Sequence, residues 1–403
     1  MNIMTMNKKK FIVDVVLNLV ASTVVFAVLQ FFALPFIARN VDANHYGLVV
    51  TYISMFNLVS ASFGNVLNNI RLINEKNDWK SYNLELLILA ILNIAVISGF
   101  SFYYDNTNYS QIILNIGVGS LWLLKEYLIV AFRITINYRQ ILISNVIQAL
   151  GHVVGLACFF YSGTWQYVYI IGFSFCIIYI SCKTNIWKER IKKTTDFGVL
   201  SFQTMQLLMA TLFYRVPIYA DKMIIYPLLG ARDTSILYIA TLSGKVIAAA
   251  TTPLSGVMLS YLARRSRKSK SVFRGTLIVG SIIGAFGYLL CLVISFPLLS
   301  IIYPDYANDV MKYIPIATAT AIVTGLVGIV NPFLISYFNM KWQIIIGVIY
   351  VALYSLLTVS LLLNFALYGF CVGALVAESI RLIISIVVFS VFKEKNETKE
   401  LIP

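Results

Sequence analysis

Apolar residues run through this chain in long stretches separated by short polar turns. Neither the two-residue alternation of a half-buried strand nor the single stripe of a soluble helix dominates. The recurring unit is an apolar run of about 20 residues, the length that crosses a hydrocarbon core of about 30 Å. Twelve such runs are predicted as membrane helices: 11–38, 46–69, 82–103, 109–131, 140–161, 166–183, 201–229, 235–262, 274–301, 313–338, 343–364 and 368–392. The run at 201–229 would measure about 43 Å as a straight helix. It is therefore expected to tilt, bend or extend past the bilayer, and Pro217 and Pro227 favour a bend.

Composition agrees with the bilayer as solvent. Of 403 residues, 59% are hydrophobic and 12% charged, and the mean hydropathy is +0.83. Lys and Arg number 31 against 17 Asp and Glu, a net +14. In a soluble protein that excess would suggest nucleic acid, but no nucleic-acid module or phosphate-binding glycine loop is present. Its distribution gives a different reading. Alternate turns starting from the N-terminus hold 23 of the cations, including "ARRSRKSKSVFR" at 263–274; the opposite turns hold only Arg39, Arg232 and Lys312. The remaining five lie inside spans. This asymmetry predicts an even number of spans with both termini cytoplasmic, and basic turns that also touch anionic lipid heads.

The basic loop "KTNIWKERIKKTTDFG" divides the chain into six plus six, giving expected bundles at 1–195 and 196–403. Both halves begin on the same side, so a repeat would be parallel. The outer turns "FIARNVDANHYGLV" and "YPLLGARDTSILYI" occupy matching places in the two halves. The N-terminal apolar run is too long for a cleavable signal. The five cysteines lack CxxC spacing and lie mostly in apolar runs, so neither disulfides nor a zinc site is expected. No catalytic constellation, metal site or cofactor motif is found.

The unusual chemistry lies within the spans. Each charge at mid-bilayer costs about 2.5–3.5 kcal/mol on insertion scales. Lys125, Arg215, Lys222, Lys245 and Arg381 must therefore be paired or line a wet cavity. Glu378 and Arg381, spaced i, i+3, can pair on one helix face. Asp221 beside Lys222, and Glu126 beside Lys125, point in different directions and are expected to pair between helices. Polar stripes mark further inward faces: Asp14, Asn18 and Ser22; Asn57, Gly64 and Asn68; Asn145, Gln148 and His152. The five cations are the candidate lining of a cationic cleft. Asp14, Asn18, Asn145, Gln148, Asp221 and Glu378 are candidate cavity or coupling groups.

"LPFIARNVDANHYGLV", followed by Gly64 and by Arg71 in "NNIRLI", then "DKMIIYPLLGA" at the start of the second half, form a set spread through the chain. The set resembles the polysaccharide flippases of the MATE-related (MOP) superfamily, nearest to the O-antigen (Wzx-type) flippases. Arg39, Tyr46 and Gly47 match that family's first outer turn, and Asp221-Lys222 an acidic–basic pair of its seventh helix. Val41-Asp42 replaces the family's frequent Leu-Gly. The resemblance implies an all-α, V-shaped protein of two six-helix bundles in the bacterial inner membrane. It would move an undecaprenyl-diphosphate-linked oligosaccharide for lipopolysaccharide biosynthesis from inner to outer leaflet. The intramembrane cations would then converge on a hydrated chamber between the bundles. Partners would be the lipid-linked substrate, membrane lipids, a polysaccharide polymerase and a chain-length regulator. A cation-coupled drug exporter of the same superfamily and a membrane polymerase are the alternatives.

Overall fold

The computed structural model describes residues 8–73, 80–104, 109–186, 197–242, 244, 246, 270–338 and 340–392, and every regular element among them is helical. They group into two compact units, Met1–Arg232 and Asp233–Pro403.

In the first unit, α1 (Lys8–Ala27) runs through a π-helical turn, Val28–Ala33, into α2 (Leu34–Asn40). Pro35 stands at the start of α2 and cannot donate a backbone bond, so the wider turn before it accommodates the proline within one continuous span. Asp42 caps α3 (Ala43–Leu58), its carboxylate accepting from the His45 amide at 2.6 Å. The acid at the position where the resemblance expects glycine is thus a helix cap. α3 breaks at Val59 and continues as α4 (Ser60–Ile73). Next come α5 (Lys80–Tyr104), α6 (Tyr109–Leu128) with the short α7 (Val130–Ile134), α8 (Tyr138–Ser162) and α9 (Gln166–Lys183). Small residues let these helices approach closely. A Cβ on Gly155 would lie 2.5 Å from Val168 Cα, and one on Gly64 would lie 2.5 Å from Leu123 O.

α10 (Phe197–Leu229) opens the second half of the sequence, yet it packs on α3, α4 and α5 and so belongs to the first unit. Its arms, Phe197–Phe213 and Arg215–Leu229, meet at 59°. The break falls where physical chemistry puts it: the Pro217 ring displaces the bond to the carbonyl four residues earlier, that of Phe213. Gly230, with φ 93, then turns the chain into α11 (Ala231–Ala240).

The second unit contains α12 (Lys270–Ile302), α13 (Ala307–Met311), α14 (Ile314–Tyr337) and α15 (Met340–Val391). α15 is two arms joined at Phe365–Ala366, where Ala366 takes φ 50. The arms fold back on each other. Trp342 meets Phe392, Tyr354 meets Phe370, and a Cβ on Gly369 would strike the Leu361 carbonyl. They correspond to the two runs expected at 343–364 and 368–392. A core of Phe273, Phe333 and Phe389 ties α12, α14 and the second arm together, with Phe273 and Phe389 stacked at 3.9 Å.

Among the described residues, nine helices are long and apolar enough to cross a membrane, or ten with the bent α10 counted as one span. One of these is the two-armed α15. The chain is a multi-pass membrane protein. The run expected at 235–262 falls largely outside the described residues.

Candidate functional site

α10 carries two of the expected cations and is held to the first unit at four levels. Near its start the Ser201 hydroxyl donates to Glu85 of α5 at 2.7 Å. At the bend, Arg215 donates through Nη1 to the Asn57 carbonyl at 2.9 Å. Further along, the Tyr104 hydroxyl donates to the Met223 carbonyl, and the Tyr104 ring lies 5.4 Å from that of Tyr226. At the far end a Cβ on Gly47 would sit 2.2 Å from the Ala231 carbonyl oxygen, so the start of α3 meets the α10–α11 turn at backbone distance.

The Arg215 contact joins two broken helices. Asn57 lies in the last turn of α3, whose carbonyls lack donors from their own helix. Arg215 begins the second arm of α10. Its guanidinium therefore caps one break from the edge of the other. The side chain is half-buried, and no carboxylate accepts from it among the described residues. Arg215 retains donors to offer elsewhere, since guanidinium has five.

Of the cations expected inside spans, Lys222, Lys125 and Arg381 each hold a carboxylate from their own helix. Lys222 pairs with Asp221, and Asp221 also accepts from the Lys222 amide at 2.8 Å. Lys125 lies 3.1 Å from Glu126. Pairing between helices, expected for both, is not what these acids do with the lysines. The four-carbon lysine stem is flexible enough to curl back on its neighbour, and where both groups are buried the nearest countercharge wins. In the second unit, Arg381 lies 3.6 Å from Glu378 on one face of α15, as the spacing predicts. The Tyr350 hydroxyl donates to Glu378 at 2.7 Å, and the Arg381 guanidinium lies 4.4 Å from the Tyr350 ring centre. Lys245 lies outside the described residues. Asp14 and Asn18 fall on α1, with side chains outside the described set.

Asn145 and Gln148 are buried inside the first unit. Asn145 donates to the Ala21 carbonyl at 3.0 Å, joining α8 to α1. Gln148 and His152 are 3.1 Å apart, and His152 Nδ1 lies 2.8 Å from the Val168 carbonyl. The stripe on α4 behaves alike: Asn68 donates to the Glu126 carbonyl at 2.7 Å.

Arg71 and Arg133 lie just beyond the expected spans 46–69 and 109–131, where basic turns are predicted, but both are built into the bundle end. Arg71 is 2% exposed, bonds the Tyr127 hydroxyl and stacks near the rings of Tyr82 and Tyr127. Arg133 donates to Asn68 at 2.7 Å and to Asn69 at 3.0 Å. The asparagine pair in "NNIRLI" was the only available signal. Glu85 and Ser201 left none, because their contact joins helices more than a hundred residues apart.

No family model matches the sequence, and no curated protein sequence matches it. Solved structures do. The lipid II flippase MurJ, in an inward closed conformation, aligns over 95% of this chain and 87% of its own, with a TM-score of 0.68 at 15% identity. The eukaryotic MATE transporter AtDTX14 aligns over 96% of each chain, with a TM-score of 0.65 at 12% identity. An inward-facing multidrug-resistance MATE transporter of the MOP superfamily aligns over 93% of this chain and 98% of its own, with a TM-score of 0.61 at 10% identity. The chain has the all-helical membrane fold shared by the MATE transporters and MurJ.

Proposed function

We propose that the chain is a flippase that carries an oligosaccharide linked to a polyprenyl diphosphate, of the O-antigen kind, across the bacterial cytoplasmic membrane. It works by alternating access and makes or breaks no covalent bond. The observation that carries this reading is Arg215: a half-buried cation at a helix break, bonded to a carbonyl and not to a carboxylate among the described residues. A lipid-linked sugar has an apolar tail that stays in lipid and a diphosphate that hydrocarbon rejects. A guanidinium in the span offers that diphosphate a bidentate, charge-assisted contact. Lys222 and Lys125 supply further positive groups, each ready to exchange a carboxylate partner for phosphate. Likeness in fold to a lipid II flippase supports the reading.

The second reading is a cation-coupled exporter, and the fold of the MATE transporters favours it. Such a protein needs carboxylates to hold the coupling ion. Among the described span carboxylates, Glu126, Asp221 and Glu378 each already face a cation from their own helix, which favours an anionic cargo, while Glu85, bonded to Ser201, is the carboxylate this second reading would use.

Deleting the gene tests the proposal in cells. Lipid-linked repeat units should accumulate intact on the cytoplasmic leaflet. Units that reach the outer face and stay unpolymerised would point instead to a polymerase.

A further inference from the structure

The bend in α10 and the break in α3–α4 are distant in sequence, yet a single side chain, Arg215, spans them. Pro217 removes the helix bond to Phe213 and so permits a bend, but permission does not set an angle. The size of the bend is fixed by what holds the two arms. The first arm is bonded through Ser201 to Glu85, and the second through Met223 to Tyr104. Between them Arg215 ties the vertex to Asn57.

That central tie is the exchangeable one. A neutral carbonyl is a modest acceptor, whereas a phosphate oxygen carries charge and can take two parallel guanidinium bonds. Both compete for one fork, and an anion arriving in a site of low dielectric outbids the carbonyl. We infer that Arg215 is a ligand-released latch: a diphosphate group draws the guanidinium off the Asn57 carbonyl, and the α10 bend and the α3–α4 break, no longer tied, rearrange together. Binding of the cargo headgroup thereby starts the conformational change that moves it. This rests on the flippase reading and adds to it how the site senses occupancy.

Such a latch is specific for its ligand. A polyprenol lacks the anion and leaves the latch closed. A monophosphate opens it less fully than a diphosphate, which presents more oxygens to the same fork.

Spin labels on Phe202→Cys and Leu228→Cys report the bend, since both positions are exposed and lie on opposite arms. The background is a variant with the five native cysteines replaced, verified for transport and held in lipid nanodiscs. Opening the 59° bend toward a shallow proline kink should lengthen the label distance by roughly 3–5 Å, from the rise per helical residue. Farnesyl diphosphate should produce this shift, inorganic pyrophosphate a part of it, and farnesol none. Arg215→Gln should show the long distance without ligand and no response to it. Arg215→Lys, which keeps the charge but loses the fork, should respond weakly and controls for misfolding. An unchanged wild-type distance at saturating farnesyl diphosphate overturns the latch. So does an Arg215→Gln protein that keeps the short distance and still responds. Vesicle flipping by the same proteins separates the two claims: flipping without a ligand-induced shift sinks the latch alone, and a shift without flipping sinks the transport reading alone.

Discussion

A charge in hydrocarbon needs a partner, and this chain places that partner next door. Asp221 beside Lys222, Glu126 beside Lys125 and Glu378 three residues before Arg381 each form a pair within one helix. A buried pair adds little net stability, but removing one member strands the other at a cost of about 3–5 kcal/mol. Asp221→Asn should therefore lower the melting temperature of detergent-purified protein markedly. The double variant Asp221→Asn with Lys222→Met should recover most of that loss. If the single variant melts like wild type, the pair is not buried as described. At this scale the sequence was legible in part. The i, i+3 spacing of Glu378 and Arg381 foretold their contact, because helical geometry fixes which faces coincide. The Lys125 and Lys222 contacts depart from the expected pairing between helices, because direction from the backbone says little about where a flexible ammonium ends. Arg215 was singled out by its position in an apolar run, yet its partner is a backbone carbonyl, a group that no side-chain pattern reveals.

Helices here are shaped by their interruptions. Pro217 bends α10, Pro35 follows the π turn, Val59 breaks α3 from α4, and Phe365–Ala366 folds α15 into a hairpin. Pro217 announced the first of these. The Val59 break had no announcement, since neither glycine nor proline marks it; its geometry comes from packing. The glycine at the start of α3 has a measurable role. Gly47→Val would put carbon 2.2 Å from the Ala231 carbonyl, an overlap that only backbone movement relieves, at about 1–3 kcal/mol. It should slow transport at least tenfold while the protein still inserts, as read by flipping in vesicles against an expression control. Retained wild-type rates would mean the α3 contact with the α10–α11 turn is idle in transport. Pro217→Ala restores the missing amide donor. It should narrow the label-distance distribution across α10 and shift it longer, again by spin-label measurement.

The whole molecule is a multi-pass helical protein with the fold shared by the MATE transporters and MurJ. Its all-helical membrane character was readable from run length alone, since the bilayer sets that length. The placement of α10 was not: a basic loop marks where a span begins, and only interhelical contacts decide which neighbours the span joins. Charge in the turns makes a further prediction about orientation. A cysteine at Asn364, beside the tip of the α15 hairpin, should react with a membrane-impermeant maleimide from outside intact cells. One at Ile136, in the turn between α7 and α8, should react only after permeabilisation. The opposite pattern would invert the proposed direction of transport.

Whether the protein flips a polyprenyl-diphosphate sugar is decided directly in vesicles. Wild-type protein would be reconstituted with a fluorescent polyprenyl-diphosphate oligosaccharide in both leaflets, and dithionite would quench the outer pool. Exchange between leaflets should carry the signal well below the half that protein-free vesicles protect, and Arg215→Gln should slow that fall at least tenfold. A protected half that persists with correctly inserted wild-type protein, or an Arg215→Gln variant that flips at the wild-type rate, would contradict the account.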